Sequence, residues 1–530
     1  MRRRSLLLLP VGLAVGVAIF LGCGKDEESS TPPKADAGNP ADTSTSIDIA
    51  DGAPDASTWA IPFDWVGVIG TGQSLSIGAT AGNISTTPSF NNGKLVDNGP
   101  APKYPLDGGG ADYAMVPLVE PIRTGITGTG GQYPGNILGE TPHSGMANEL
   151  TSLARNAHGA ADYVSMHTVV GWSGHPLTDI NKQGTGTAYP GSIQEVRAFT
   201  QLAKTAGKTY GVGGIILTHG ETDASQNNTA YGDGLKRLIS DYNADIKAIT
   251  GQTRDIKLLV SQQSVLAGPT AVLVWKAGNE DPNIVCVGPK YQYDYSADLL
   301  HFQAPGYLRL GEKYAEVFDV VVNQGKTWKP VQPRSITRAE KVITIVFDVP
   351  NAPLQWDTTL APPHQTLHPA WSAGHGFEVL DGTNEAKIVS AELAGADTVK
   401  LTLRDLPAGA VTVGYAMTAD VAGNKGGTPD GYTGQLADSD PLVGQDEESL
   451  DVVLTQGSEK VALATGASFT RRAVRDIVTG AGAPANWTVL AAAGANLTMS
   501  AKWTGATGPA TVKIHHDLRN YAVHFSQQLP

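Results

Sequence analysis

Short apolar runs alternate with amphipathic stretches between residue 59 and about residue 324. In the amphipathic stretches apolar residues recur three or four positions apart, which predicts helices with one buried face. Strands alternating with helices favour βαβ units around a parallel sheet, so this part should be an α/β domain. The predicted strands cover residues 65–69, 163–170, 213–217, 256–260 and 283–287, and the predicted helices cover 147–158, 193–206, 235–249 and 304–322.

The pattern changes after residue 331, where short apolar runs are separated by Gly, Pro and Asn. Such spacing is typical of antiparallel strands joined by turns. Residues 331–530 are therefore expected to form one or two all-β, sandwich-like domains with a possible insert at 458–510, serving either as a glycan-binding accessory or as packing. The predicted strands cover 342–347, 399–403, 411–415, 451–454, 511–514 and 521–525, and one helix is predicted at 471–478.

The N-terminus has the pattern of a secretory signal, with three arginines followed by an apolar run over residues 6–21. The run ends in Phe20-Leu21-Gly22-Cys23, which resembles a bacterial lipobox. This resemblance implies cleavage after residue 22, a lipid on Cys23, and a place at the outer membrane or cell surface of a bacterium. Residues 23–58 are polar and poor in large apolar residues, as expected for a flexible tether. The alternative is an ordinary signal peptide with an incidental cysteine.

Charge and cysteine content exclude several classes of function. The chain has 38 basic and 51 acidic residues and a formal net charge of −13. Nucleic-acid binding needs a basic face, so it is not expected. Cys23 and Cys286 are the two cysteines of the sequence. They cannot form a disulfide framework or a zinc site built on thiolates.

A serine stands where the first predicted strand ends, in the sequence Gly72-Gln73-Ser74. A dinucleotide-binding fingerprint would need glycine at position 75, which is Leu75. The nucleophile elbow of α/β-hydrolases would need glycine at position 76, which is Ser76. Both motifs are thus excluded, and the residues leave open either a polar turn or an exposed nucleophile at Ser74.

Three further polar segments follow predicted strands or precede the last predicted helix. Asp298 and His301 are three positions apart, so the carboxylate can orient the imidazole while the other ring nitrogen accepts a proton from a serine. Nucleophile, base and oxyanion donors are the parts that acyl transfer requires. The remaining segments are Ser173-Gly174 and the run from His219 to Asp223.

These four segments resemble the four blocks of the SGNH (GDSL-like) hydrolases, and among them the carbohydrate acetylesterases that include sialate O-acetylesterases. The resemblance covers roughly residues 60–323, within a predicted esterase domain of residues 59–326. It implies a flavodoxin-like three-layer fold with a parallel sheet. It implies Ser74 as nucleophile, His301 as base and Asp298 as the residue that orients it. The resemblance further implies that the oxyanion is bound by the N–H groups of Ser74 and Gly174 and by His219, which replaces the family's usual glutamine. The other residues expected in this oxyanion and binding site are Ser173, Gln73 and Glu221.

The expected function is an extracytoplasmic serine esterase that removes acetyl or small acyl groups from carbohydrates, without a cofactor. Its expected partners are an acylated carbohydrate or small ester and, through Cys23, a membrane. Two alternatives remain open: a lipase or aryl esterase on the same fold, and an inactive glycan-binding surface lipoprotein. A metal at His219, Glu221 and Asp223 is disfavoured because the spacing fits no ligand motif.

Overall fold

The computed structural model describes residues 60–97, 113–123, 130–266, 268–420, 431–463, 476–480, 487–493, 496–499 and 502–529. These residues fall within one compact unit, Pro54–Pro530. The signal peptide, the tether and the lipidation of Cys23 that the sequence predicts lie outside them. In the described part of the chain, no helix has the length and apolar character needed to cross a membrane.

A seven-stranded sheet organises the first part of the described chain. Its order is β3-β2-β4-β1-β5-β6-β7, and every neighbouring pair is parallel except β2 and β3. The five strands β4-β1-β5-β6-β7 have the flavodoxin-like order 2-1-3-4-5, in which ligand sites lie at the carboxyl ends of the strands. The strands are β1 (Trp65–Gly72), β2 (Gly93–Asp97), β3 (Tyr113–Pro117), β4 (Val164–Val169), β5 (Tyr210–Thr218), β6 (Lys257–Ser261) and β7 (Ile284–Gly288).

Helices cover both faces of this sheet and complete three layers. The first and last long helices share one apolar core with one face of β1, and three other helices pack on the opposite face. The expected α/β, flavodoxin-like fold is therefore confirmed. The helices are α1 (Pro142–His158), α2 (Leu177–Ile180), α3 (Ala188–Thr205), α4 (Glu221–Ser225), α5 (Tyr231–Thr250), α6 (Thr270–Glu280) and α7 (Ala304–Phe318).

The C-terminal part is antiparallel, as the turn-rich sequence predicts. Two four-stranded sheets have the orders β12-β11-β15-β23 and β13-β14-β9-β8, and β10 pairs with β16. The strands are β8 (Gln332–Ala339), β9 (Val342–Asp348), β10 (Gln355–Trp356), β11 (Phe377–Asp381), β12 (Asn384–Glu385), β13 (Ile388–Leu393), β14 (Thr398–Leu403), β15 (Val411–Tyr415), β16 (Leu436–Ala437) and β23 (Phe525–Gln528).

Six further strands, between β16 and β23 in the chain, form a closed antiparallel sheet of their own. The chain then returns to the four-stranded sheet at β23, which pairs with β15. The closed sheet consists of β17 (Val443–Leu454), β18 (Lys460–Leu463), β19 (Asp476–Gly480), β20 (Trp487–Ala493), β21 (Asn496–Met499) and β22 (Gly508–Asp517).

Two sequence predictions in this part are wrong. The helix predicted at 471–478 is a strand over its described residues, because β19 pairs with β20 and β22 there. The strand predicted at 521–525 begins only at Phe525. Before it, Tyr521 makes a single bridge to Ala437, while Ala522 and His524 bond to the α/β domain. The apolar alternation of this segment thus reflects burial between two regions, not strand pairing.

Candidate active site

Ser74 lies two residues beyond β1, at the start of a short 3-10 turn, Ser74–Ser76. The chain can turn there because Gly72 has φ +139°, a conformation that favours glycine. A Cβ atom on Gly72 would lie 2.2 Å from the carbonyl oxygen of Thr218 on the neighbouring strand. Glycine therefore allows β1 and β5 to approach closely and directs Ser74 to the carboxyl edge of the sheet. The serine is 6% exposed.

His301 reaches this serine from the loop between β7 and α7. Its Nε2 atom lies 2.8 Å from the Ser74 hydroxyl, and its Nδ1 atom lies 2.6 Å from Oδ2 of Asp298. An Nδ1–H that donates to the carboxylate leaves Nε2 free to accept the serine proton. The structure thus brings Ser74, His301 and Asp298 together in the geometry of a nucleophile, a base and its orienting carboxylate.

The Asp298 carboxylate is fixed by its own turn of the loop. Oδ1 accepts hydrogen bonds from the backbone N–H groups of Leu300 and His301, both at 3.0 Å, and from the Ser296 hydroxyl at 2.6 Å. Partial burial raises the pKa of Asp298, but the hydrogen bonds from His301, Ser296 and Leu300 outweigh it and hold that pKa well below its usual range. Asp298 is therefore ionised at neutral pH, as an orienting carboxylate must be.

The predicted turn of Ser173 and Gly174 lies beside the Ser74 turn. The Trp172 N–H donates to the Gly72 carbonyl at 2.9 Å, which continues the pairing of β4 with β1. Ser173 donates its N–H to Gly130, and Gly174 is exposed with φ +75°. Among the hydrogen bonds between described residues, none uses the N–H of Ser74 or Gly174 as donor.

His219 occupies a different place from the one expected for an oxyanion donor. The ring is fully buried; Nε2 lies 3.0 Å from the carbonyl oxygen of His175 and Nδ1 lies 3.0 Å from the Tyr231 hydroxyl. Burial lowers the pKa of His219, in part against the pull of Asp223. The neutral ring donates its one N–H to the carbonyl and accepts from Tyr231. It has no donor left for a substrate, so the structure corrects this expectation.

Glu221 and Gln73 also have partners within the protein. Oε1 of Glu221 lies 2.6 Å from Nζ of Lys290, and both side chains are buried. The Gln73 side-chain oxygen accepts from the N–H of Thr222 at 3.4 Å, which links the serine turn to the turn after β5. Glu221 and Gln73 thus bond to other protein groups next to Ser74 and hold the turns around it in place. Within the described residues, no group of three or more His, Cys, Asp and Glu side chains could hold a metal ion.

Lys290 is the residue that the sequence analysis did not identify. It follows β7 by two residues and precedes the loop that carries Asp298 and His301. Its position in the sequence could have identified it. A lysine just beyond an apolar strand of a parallel sheet lies at the carboxyl edge, where the other site residues also lie.

A family model matches part of the α/β domain. Residues 167–319 match the family model described as carbohydrate esterase, sialic acid-specific acetylesterase. This segment contains three of the four predicted blocks but begins after Ser74. A search of the curated proteins gives no significant match.

Several solved structures are similar to parts of the chain. A carbohydrate acetylesterase from Xanthomonas citri has 13% identity and a TM-score of 0.43, covering 70% of this chain and 77% of its own. A carbohydrate acetylesterase from Sinorhizobium meliloti and the aryl esterase of M. smegmatis each have 14% identity and cover 48% of this chain and 97% of their own, with TM-scores of 0.27 and 0.25. With identities of 13–14% and TM-scores below 0.5, these similarities do not indicate the function of this chain. The family match over 167–319 confirms the resemblance of the α/β domain to the SGNH-type carbohydrate esterases.

Proposed function

We propose that this protein is an extracytoplasmic serine esterase that hydrolyses acetyl or other small acyl esters on carbohydrates, held at a bacterial membrane by a lipid on Cys23. One observation carries the catalytic part: the continuous hydrogen-bonded series from Ser74 through His301 to Asp298 at the carboxyl edge of the sheet. The family match supports the ester and carbohydrate class. The basic and apolar N-terminal sequence supports the location.

In the first half-reaction, the Ser74 oxygen attacks the ester carbonyl carbon as Nε2 of His301 takes the serine proton. The carbonyl oxygen gains negative charge and accepts hydrogen bonds from the N–H groups of Ser74 and Gly174. Asp298 stabilises the imidazolium that forms and keeps its ring oriented. When the tetrahedral intermediate collapses, His301 returns the proton to the sugar oxygen, so the alcohol leaves and Ser74 is acylated.

In the second half-reaction, water replaces the sugar. His301 takes a proton from the water as its oxygen attacks the acyl carbon, and the same backbone donors hold the oxyanion. Collapse releases the carboxylic acid and returns the proton to Ser74. Because His219 has no free N–H, this mechanism uses two backbone donors and no side chain from the turn after β5.

The test is ester hydrolysis by a soluble protein that begins near residue 56, with 4-nitrophenyl acetate and acetylated sugars as substrates. We expect acetate release by the wild type and a loss of at least about 10⁴-fold in Ser74→Ala. Ser76→Ala is the matched control, because Ser76 bonds to the Gln73 carbonyl in the same turn and is not placed at the acyl carbon.

Equal loss in Ser74→Ala and Ser76→Ala, or equal activity in Ser74→Ala and wild type, would contradict the assignment. Comparison of acetyl with octanoyl esters separates a carbohydrate acetylesterase from a lipase. A folded wild type without activity on any ester would favour the glycan-binding alternative, for which a glycan array is the next measurement.

A further inference from the structure

The ion pair between Lys290 and Glu221 is a buried charged contact at this edge of the sheet. The Lys290 side chain is fully buried, that of Glu221 is 3% exposed, and Nζ lies 2.6 Å from Oε1. The second carboxylate oxygen, Oε2, is buried and has no hydrogen-bond partner among the described residues. A buried pair of this kind adds little net stability, because desolvation of both charges opposes their attraction. Its presence therefore calls for a role other than stability.

Glu221 belongs to the half of the site that carries the nucleophile. It lies three residues beyond Thr218, the β5 residue that pairs with Gly72. Gln73 donates its backbone N–H to the Thr218 carbonyl at 3.2 Å and accepts from the N–H of Thr222 with its side chain. The turn that contains Glu221 is thus bonded on both sides to the residue before Ser74.

Lys290 belongs to the other half, which carries the base. Its carbonyl oxygen accepts from the Tyr295 hydroxyl at 3.2 Å, and the Tyr295 ring contacts Phe302 edge to face at 4.9 Å. Tyr295 and Phe302 also form a backbone bridge, which closes the loop that carries Asp298 and His301. A shift of Lys290 would therefore move His301 through the base of its own loop.

The backbone of Lys290 is held in turn from the C-terminal region. Its N–H donates to the Ser264 hydroxyl at 3.0 Å, and this hydroxyl lies 2.8 Å from Nε2 of His524. Nδ1 of His524 lies 2.6 Å from the Ala416 carbonyl oxygen, and the His524 N–H donates to Gln262. Because the Ala416 carbonyl can only accept, Nδ1 of His524 carries the ring proton. Nε2 therefore accepts from the Ser264 hydroxyl, and the Ser264 oxygen accepts from the Lys290 N–H.

We propose that Lys290, through its buried ion pair with Glu221, is a positioning residue that sets the distance between Ser74 and His301, and that His524 fixes its backbone from the C-terminal region. This role rests on the function proposed above. It makes His524 a support of the esterase site, although this residue lies more than 200 positions beyond His301 in the sequence. A displacement of about 1 Å between reacting groups can lower turnover about a hundredfold.

The first test compares Lys290→Met with Lys290→Met/Glu221→Gln in the full soluble protein. The single variant leaves a carboxylate buried without its cation, so its melting temperature should fall. The double variant removes the orphan charge and should recover most of that loss. In both variants we expect kcat to fall about a hundredfold with KM changed less than about threefold. Recovery of kcat together with the melting temperature would overturn the positioning role.

A second buried lysine–glutamate pair provides a matched control. Lys313 and Glu316 form an ion pair on α7, and Lys313 also bonds to the Leu518 carbonyl and to Asn520, away from Ser74 and His301. Lys313→Met/Glu316→Gln should leave kcat within about threefold of the wild type. A fall in kcat equal to that of the Lys290 double variant would mean that any buried pair has this effect, and would also overturn the proposal.

A spectroscopic readout separates this proposal from the proposed function. The Nδ1–H proton of His301, hydrogen-bonded to Asp298, should give a downfield resonance that His301→Gln removes. We expect the Lys290→Met/Glu221→Gln protein to shift or broaden this resonance, and the Lys313 control to leave it in place. An unchanged resonance would contradict the positioning role even in a protein that hydrolyses none of the esters tested. A changed resonance in such a protein would support the positioning role, and the missing hydrolysis would contradict only the esterase assignment.

Discussion

Two turns at the carboxyl edge of the sheet contain the same residue types in different surroundings. The loop after β7 holds His301 beside Asp298, and the turn after β5 holds His219 near Asp223, with Nδ1 and the carboxylate 3.7 Å apart. The His301 side chain is 14% exposed and one of its nitrogens faces Ser74, whereas the His219 side chain is fully buried with both nitrogens bonded inside the protein. A histidine next to an aspartate therefore presents a ring nitrogen to a serine in one turn and bonds only within the protein in the other.

The difference follows from the hydrogen-bond donors that each carboxylate accepts. Asp298 accepts two backbone N–H groups, a hydroxyl and the imidazole, so it orients a ring that remains accessible. Asp223 instead accepts from the Leu177 N–H and from Asn228, and thereby fixes the neighbouring loop. Both carboxylates order their turns, but only the first one leaves a proton acceptor at the surface of the site.

The largest expected effect comes from replacing the two histidines in parallel. His301→Gln removes the proton acceptor and should lower kcat by about 10⁴-fold with little change in melting temperature. His219→Gln removes buried hydrogen bonds, so it should lower the free energy of unfolding by about 1–3 kcal/mol while kcat stays within about tenfold. Ester hydrolysis and denaturant unfolding measure the two quantities. A loss of kcat in His219→Gln comparable to that in His301→Gln would return His219 to the oxyanion site.

A loss no larger than this is expected from Asp298→Asn. The amide would donate to Nδ1 of His301, so the ring proton would move to Nε2 and the base would face Ser74 with the wrong tautomer. We expect kcat to fall up to about 10⁴-fold at neutral pH. Asp223→Asn is the matched control; its loss should appear in the free energy of unfolding and not in kcat. Equal kcat values for Asp298→Asn and wild type would show that the loop backbone alone orients His301.

The sequence predicts the α/β domain well because its signals are local. Apolar strands and amphipathic helices bury faces that periodicity reveals, and Gly72 and the spacing of Asp298 and His301 locate the site. Local sequence patterns do not predict contacts between residues that are far apart in the chain. His219 looks like a donor until Tyr231 and the His175 carbonyl are found at its two nitrogens.

The same limit applies to His524, in the segment before β23. The structure buries it against Ser264, 260 residues earlier in the chain. That contact exists because the chain leaves the closed sheet at β22 and returns over the α/β domain before pairing with β15. Only the tertiary path brings the two residues together, so no period or motif could have predicted it.

The smallest expected effect is a pH dependence of the free energy of unfolding that comes from the buried His524. Burial lowers the pKa of His524 to about 4, partly opposed by the Ala416 carbonyl, with Glu378 and Lys290 as the charged groups that act on it. The unfolded chain, with a histidine pKa of about 6.5, binds a proton that the native state excludes. The stability that this site contributes is therefore present above about pH 6.5 and is lost as the pH falls towards 4.

His524→Gln should remove this part of the pH dependence while keeping its contacts, because a glutamine amide can donate to Ala416 and accept from Ser264. The free energy of unfolding of the wild type should fall more steeply between pH 6.5 and 4 than that of the variant, by up to about 3 kcal/mol over the interval. Equal slopes for wild type and His524→Gln would mean that the native state takes up the proton, and that the contact with Ser264 opens above pH 4.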